Sequence, residues 1–214
     1  MGEDVKAGPE RGKRRREQAR ATRRRIIDAG LDLFLRQGYA VTTLEQIAGQ
    51  AGVAVQTVYF HFGNKRTVLK EIVDVVAVGD DEPVALLDRP WMQQFRAEPD
   101  ARRALTLWIH SSRAIFARVA PIMRIVRDAA GADPDMTAQW DVNQQQRFTA
   151  HHTLAQHLAD KHGLRQGLTV AKAADIIFAL LSLDVYLLLT VERGWTPAQW
   201  ERWITGTITD AVMR

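Results

Sequence analysis

The chain contains no cysteine, which excludes disulfides, thiolate zinc sites and cysteine nucleophiles. It also lacks an uninterrupted apolar run of bilayer length. The longest apolar stretch, near residues 176–191, is broken by Ser182 and Asp184. A bilayer span needs about 20 mostly apolar residues, so this stretch reads as a buried helix and no membrane partner is expected. The first residues are basic and polar with no apolar centre, which argues against a secretory leader. Period-two alternation, the mark of a half-buried strand, is missing downstream of residue 79. GxSxG, a phosphate loop, GxGxxG and HExxH are all absent, so an enzyme that processes a small molecule is a remote reading. His151, His152, His157 and His162 are spaced by one and five, whereas a metal pair on one helix face needs three or four. No metal and no cofactor are expected.

What is present is an ordinary soluble composition, with 46% apolar and 25% charged residues over 214 positions, enough for one or two domains with real cores. Its formal net charge of +4 is unevenly spread: the first 25 residues hold ten Lys and Arg against four Asp and Glu. Such an arm suggests nucleic acid or an anionic surface as partner. Residues 1–20 show no apolar periodicity and are expected to be disordered without a partner. Prolines at 83, 99, 121, 134 and 197 punctuate helical segments expected at about 84–97, 100–118, 120–130, 135–162, 170–192 and 197–213. The expected class is all-α.

The stretch Thr42–Leu69 carries the most information. Thr42 with Glu45 three residues on reads as a capping box. Leu44, Ile47 and Ala48 follow on one face, and Ala48 is small enough for a second helix to approach. Gly52 stands where a helix would end in a left-handed residue. Val53, Val58 and Phe62 supply the apolar side of the next helix, leaving Val55, Gln56, Thr57 and Tyr59 outside. Two short helices at this spacing, beside a basic arm, read as a helix-turn-helix that lays its second helix in the major groove of duplex DNA.

Here the chain resembles the tetracycline-repressor (TetR) family of bacterial transcription regulators. The matching residues are Ile26–Phe34, Gly38-Tyr39, Thr42-Thr43-Leu44, Ile47-Ala48, Ala51-Gly52-Val53, Thr57–Phe62 and Asn64-Lys65 with Leu69. Ala54 departs from the pattern, since the family often has a serine that caps the recognition helix. An alanine there weakens the helix start by about 1 kcal/mol.

The resemblance implies a head at residues 21–75 and, at 76–214, a helical body that binds an effector and dimerises. Val55, Gln56 and Thr57 would meet base edges, because glutamine can bond adenine twice and Thr or Val can touch a thymine methyl. Tyr59 and His61 would reach phosphates, as would Thr42 and Thr43 at the start of helix 2 and Lys65 at the start of helix 4. Phe60 is expected to pack toward helix 4 or the linker. Arg14, Arg15 and Arg16 of the arm, with Arg11, Lys13 and Arg20, would touch phosphate or the minor groove. So would Arg23, Arg24 and Arg25, placed at the start of helix 1. In the body, a small hydrophobic or aromatic effector would sit among Trp91, Phe95, Trp108, Phe116, Met123, Trp140, Phe148, His152 and Asp184, with His110 and His151 as further polar candidates. The last two helices would pair with a second copy through Ile177, Leu181, Tyr186, Leu188, Trp200, Trp203, Ile204 and Ile208. The expected protein is a cytoplasmic, nucleoid-associated homodimer on a palindromic operator, a repressor released by its effector. The competing reading is a nucleoid-type or anionic-surface binder that uses the arm without sequence preference.

Overall fold

The computed structural model describes residues 9–79, 89–131 and 133–214. The beginning of the helix expected at 84–97, and the first eight residues of the arm, lie outside the described residues. Among those described there is no strand, only one isolated bridge between Leu164 and Met213, so the fold is all-α as expected. The chain divides into two compact units, one ending at Asp74 and the other beginning at Val75.

The first unit is built from α1 (Pro9–Gln37), α2 (Leu44–Ala51), α3 (Val55–Phe62) and most of α4 (Lys65–Val78). Its core is Ile26, Ile27, Phe34, Ile47, Val58, Val68, Leu69 and Ile72, each at most 1% exposed. Gly30 lets α1 and α4 touch. A Cβ there would stand 3.0 Å from Ile72 Cδ1 and 3.1 Å from Val68 Cγ1.

The arm departs from expectation, because helix α1 already begins at Pro9. Proline suits a first turn, and the Lys, Arg, Glu, Gln and Ala that follow are good helix formers. Arg23, Arg24 and Arg25, expected at the start of this helix, therefore lie within it. Arg23 pairs with Glu71 and covers the Phe62 ring, while Arg24 pairs with Asp28 at 3.0 Å.

The second unit holds α5 (Pro90–Ala97), α6 (Ala101–Ala130), α7 (Pro134–Asp160), α8 (Val170–Leu180), α9 (Leu183–Leu187), a π-helical turn (Leu188–Glu192) and α10 (Pro197–Val212). Two boundaries differ from the sequence reading. Pro121 does not divide α6. It is exposed while Val119, Ala120 and Ile122 around it are buried, and packing on both sides outweighs the roughly 3 kcal/mol that an internal proline costs.

Conversely, the apolar segment 170–192 is not one helix. It breaks at Leu181, where Ser182 starts α9 by accepting the Val185 amide at 3.2 Å. Arg147 of α7 donates to the Phe178 and Leu181 carbonyls and lies 3.7 Å over the Phe178 ring. A cation at this end of α8 satisfies carbonyls that the helix cannot.

Candidate nucleic-acid interface

Helix α2 is held by a capping box one residue later than expected. Thr43, extended at φ −114°, accepts the Gln46 amide, and the Gln46 side chain accepts the Thr43 amide. Thr42 is fully buried, donates to the Gly38 carbonyl at 2.8 Å and accepts from Gln37. It is therefore a strut of the α1–α2 turn and not a phosphate ligand. Thr43 keeps an exposed position at the helix start.

Gly52 is left-handed at φ 66°, and its amide closes α2. Only glycine adopts this conformation without cost, and it sets the angle at which α3 departs. Ala54 makes no side-chain cap, so the weak start expected for α3 is present.

Val58 and Phe62 anchor α3 in the core, at 0% and 5% exposure. Opposite them Gln56, Tyr59 and Phe60 are exposed, while Val55, Thr57 and His61 are half-buried. Phe60 is 85% exposed. It does not pack toward α4, because it shares the outward face with Gln56 and Tyr59. An uncovered phenylalanine on a face otherwise fit for reading a groove is a feature that sequence reasoning misjudged, since its apolar character suggested a partner in helix 4 or the linker.

Lys65 is also not where expected. Its Nζ donates to the carbonyls of Tyr39 at 2.7 Å, Thr42 at 2.8 Å and Ala40 at 3.4 Å, and lies 4.3 Å from the centre of the Tyr39 ring. An ammonium has three protons, and these three carbonyls take them. The charge closes the α1–α2 turn instead of standing at a phosphate. A second clamp joins α1 to α2: Asp32 accepts from Gln50 and Arg36, and these bonds, the Gln50 bond first, hold its carboxyl below the ordinary range. Arg14, Arg15 and Arg16 are exposed on α1.

In the second unit most of the aromatic residues expected around an effector belong to one hydrophobic core or pack against it. Trp91 and Phe95 pack against Trp108, and Phe116 meets Tyr186 and Trp200. Phe148 meets Phe178, which also touches His151. Met123 and Trp140 are half-buried.

Two of the polar candidates lie at the surface. His152 is exposed on α7, and Asp184 is exposed and bound to Arg127 at 2.6 Å. Asp184 borders a cavity of about 440 Å³ with Arg124, Arg127, Leu188 and Val191, and His152 lies beside the Phe148 ring. His110 is exposed as well, and binds Glu201 at 2.8 Å. The buried imidazole is His151, whose Nδ1 has no partner. No sequence signal separated it from His152.

The set expected at a dimer contact divides in the same way. Ile177, Leu181, Tyr186, Trp200, Ile204 and Ile208 are at most 4% exposed within one chain, so a second copy cannot reach them. Leu188 and Trp203 remain exposed, at 47% and 37%.

Residues 26–72 match the family model described as "Bacterial regulatory proteins, tetR family". Over 56 residues the chain is 48% identical to the uncharacterized HTH-type transcriptional regulator TtgW of Pseudomonas putida, a match that takes in 26% of this chain and 42% of that relative's length. It is 30% identical over 171 residues to the HTH-type transcriptional regulator TtgR of the same species, covering 78% of this chain and 80% of that protein. Among solved structures, a SmeT–triclosan complex superposes with a TM-score of 0.71 at 23% identity, over 91% of this chain and 92% of that one. The resemblance thus extends from the head through the body, and the chain belongs to the tetR family of bacterial helix-turn-helix transcriptional regulators.

Proposed function

We propose that this regulator binds a palindromic operator as a homodimer, without catalysis, and is a cytoplasmic repressor released by a small hydrophobic or aromatic effector. The observation that carries the reading is the outer face of α3, where Gln56, Tyr59 and Phe60 stand exposed above a buried Val58 and Phe62. Glutamine bonds adenine through both ends of its amide, and a phenyl ring can lie on a thymine methyl or a sugar. The test is selection of bound duplexes by the purified chain, repeated with Gln56→Ala. The expected result is loss of preference at one base pair per half-site, worth about 1–3 kcal/mol of discrimination. Uniform weakening across all sequences would reassign Gln56 to backbone contact.

Two features support a second copy against the body. Leu188 and Val191, 47% and 59% exposed, leave an apolar surface that water disfavours. On the outer side of α10, Gly206 lies between exposed Trp203 and Asp210, and a Cβ there would meet nothing. Glycine inside a helix costs about 1 kcal/mol relative to alanine, and nothing within this chain requires it. A partner helix that crosses closely at this point would. Gly206→Ala is therefore expected to weaken the dimer, read as a dissociation constant by sedimentation. If the site faced only water, the same change would raise the melting temperature and leave association unaltered.

The effector half rests on the aromatic groups of the body. A ligand can gate DNA binding only by preferring one arrangement of the two heads over another. Operator affinity measured with and without candidate aromatic compounds tests this half separately.

A further inference from the structure

The basic arm continues α1 without a break, and its charges fall into register with the core face of that helix. Lys13, Arg16, Arg20, Arg23, Ile27, Gly30 and Phe34 are spaced alternately by three and four, the spacing of one face of an α-helix. Downstream this face is apolar and covered: Ile27 is 1% and Phe34 0% exposed, and Gly30 lies against Ile72 and Val68. Arg23 marks the border, paired with Glu71 and set over Phe62, the last residue of α3. Upstream the same face turns cationic, and Arg20, Arg16 and Lys13 are exposed. A face that is apolar against its own head and cationic beyond it is suited to an anionic body lying beside the head.

We propose that residues 13–20 stay helical on duplex DNA and lay Lys13, Arg16 and Arg20 along successive phosphates, outside the minor groove. This rests on the DNA-binding reading of α3. An α-helix with side chains is about 10–12 Å across, whereas the minor groove is about 6 Å wide, so a helical arm does not enter it. A phosphate backbone presents one charge per about 3.4 Å of axis on each strand. The three cations climb the helix axis in steps of about 4.5 and 6 Å, a spacing within reach of neighbouring phosphates for long side chains. Because α1 is one rod, the cations are positioned by the head's own core, and little chain entropy is lost on binding. Lys172, exposed on α8 of the body, serves as a charge-matched control.

The experiment measures affinity of the full chain for a duplex obtained by selection, and for a scrambled duplex, across a salt series. Lys13→Ala/Arg16→Ala/Arg20→Ala is expected to weaken both duplexes by at least about tenfold at moderate salt and to lower the salt slope by roughly 2–3. Base preference should not change. Arg16→Ala should cost affinity that Lys172→Ala does not. Ala19→Pro keeps every charge but breaks the rod upstream of the head's core, and it should weaken binding in step with the triple variant. A melting curve of each variant confirms that the head is intact.

The proposal is overturned if Ala19→Pro binds like the unmodified chain. It is equally overturned if a minor-groove ligand such as netropsin reproduces the loss seen in the triple variant, because the arm would then be an extended strand in that groove. If the unmodified chain fails to prefer the selected duplex over the scrambled one, the reading of α3 fails first and the proposal falls with it.

Discussion

Acidification from pH 6.5 toward 3 is expected to destabilise the second unit by about 1.4 kcal/mol per pH unit through His151 alone, approaching about 5 kcal/mol in total. The cause is burial. His151 is 4% exposed, with its ring against Phe178 and its Nδ1 unpartnered. Burial, followed by the nearby Arg147 cation, pushes its pKa down from 6.5 to about 3. In that window the unfolded chain takes up a proton that the folded chain refuses, so falling pH favours unfolding. Above 6.5 the imidazole is neutral in both states and contributes no slope. Below about 3 the folded state also protonates and the loss is complete. His157 acts in the same direction more weakly, since burial lowers its pKa too while its bond to the Phe95 carbonyl resists.

His151→Leu isolates the effect. Its melting temperature should match or exceed that of the unmodified chain at pH 7.5, because an unpartnered buried nitrogen costs about 1–3 kcal/mol. At pH 4 the gap should widen by several kcal/mol. Parallel stability curves for the two proteins from pH 7.5 to 4 would refute the account.

Most of the head was legible because its determinants are local. Gly52, the small Ala48, the uncapped Ala54 and the buried Val58 and Phe62 each act within one or two turns of their neighbours. The reading slipped where a distant atom decides. Thr42 and Thr43 are equally good caps on paper, and what separates them is the Gly38 carbonyl, which claims the Thr42 hydroxyl. Lys65 turns inward because the α1–α2 loop brings three carbonyls to it from over 20 residues away. Segment 170–192 looks like one helix until Arg147, on α7, takes the carbonyls at its break. In α10 the spacing of Trp200, Ile204 and Ile208 showed that a face is buried but not what buries it. Their own chain does so, and of the expected set Leu188 and Trp203 alone keep substantial exposed surface. The arm was read as disordered from its lack of apolar residues, yet its helix formers carry α1, whose buried face begins at Ile26, back to Pro9.

Lys65→Met is expected to lower the stability of the head by about 2–3 kcal/mol while leaving the salt dependence of DNA binding unchanged. The ammonium bridges the Tyr39, Ala40 and Thr42 carbonyls and lies over the Tyr39 ring. Hydrogen bonds to a charged group are worth about 1.5–3 kcal/mol each when well made, and carbonyls left unsatisfied in a partly buried turn add to the loss. Methionine preserves the stem and removes only the charge and its donors. Once the clamp is gone, the turn that presents Thr43 and the start of α2 loosens, so operator affinity falls through a smaller folded fraction. A phosphate contact would give the opposite pattern: an unchanged melting temperature and a salt slope reduced by about 1. Raising the folded fraction by cooling should restore affinity to Lys65→Met if the clamp account holds. An affinity deficit that persists in the fully folded variant, together with a shallower salt slope, would return Lys65 to the DNA backbone.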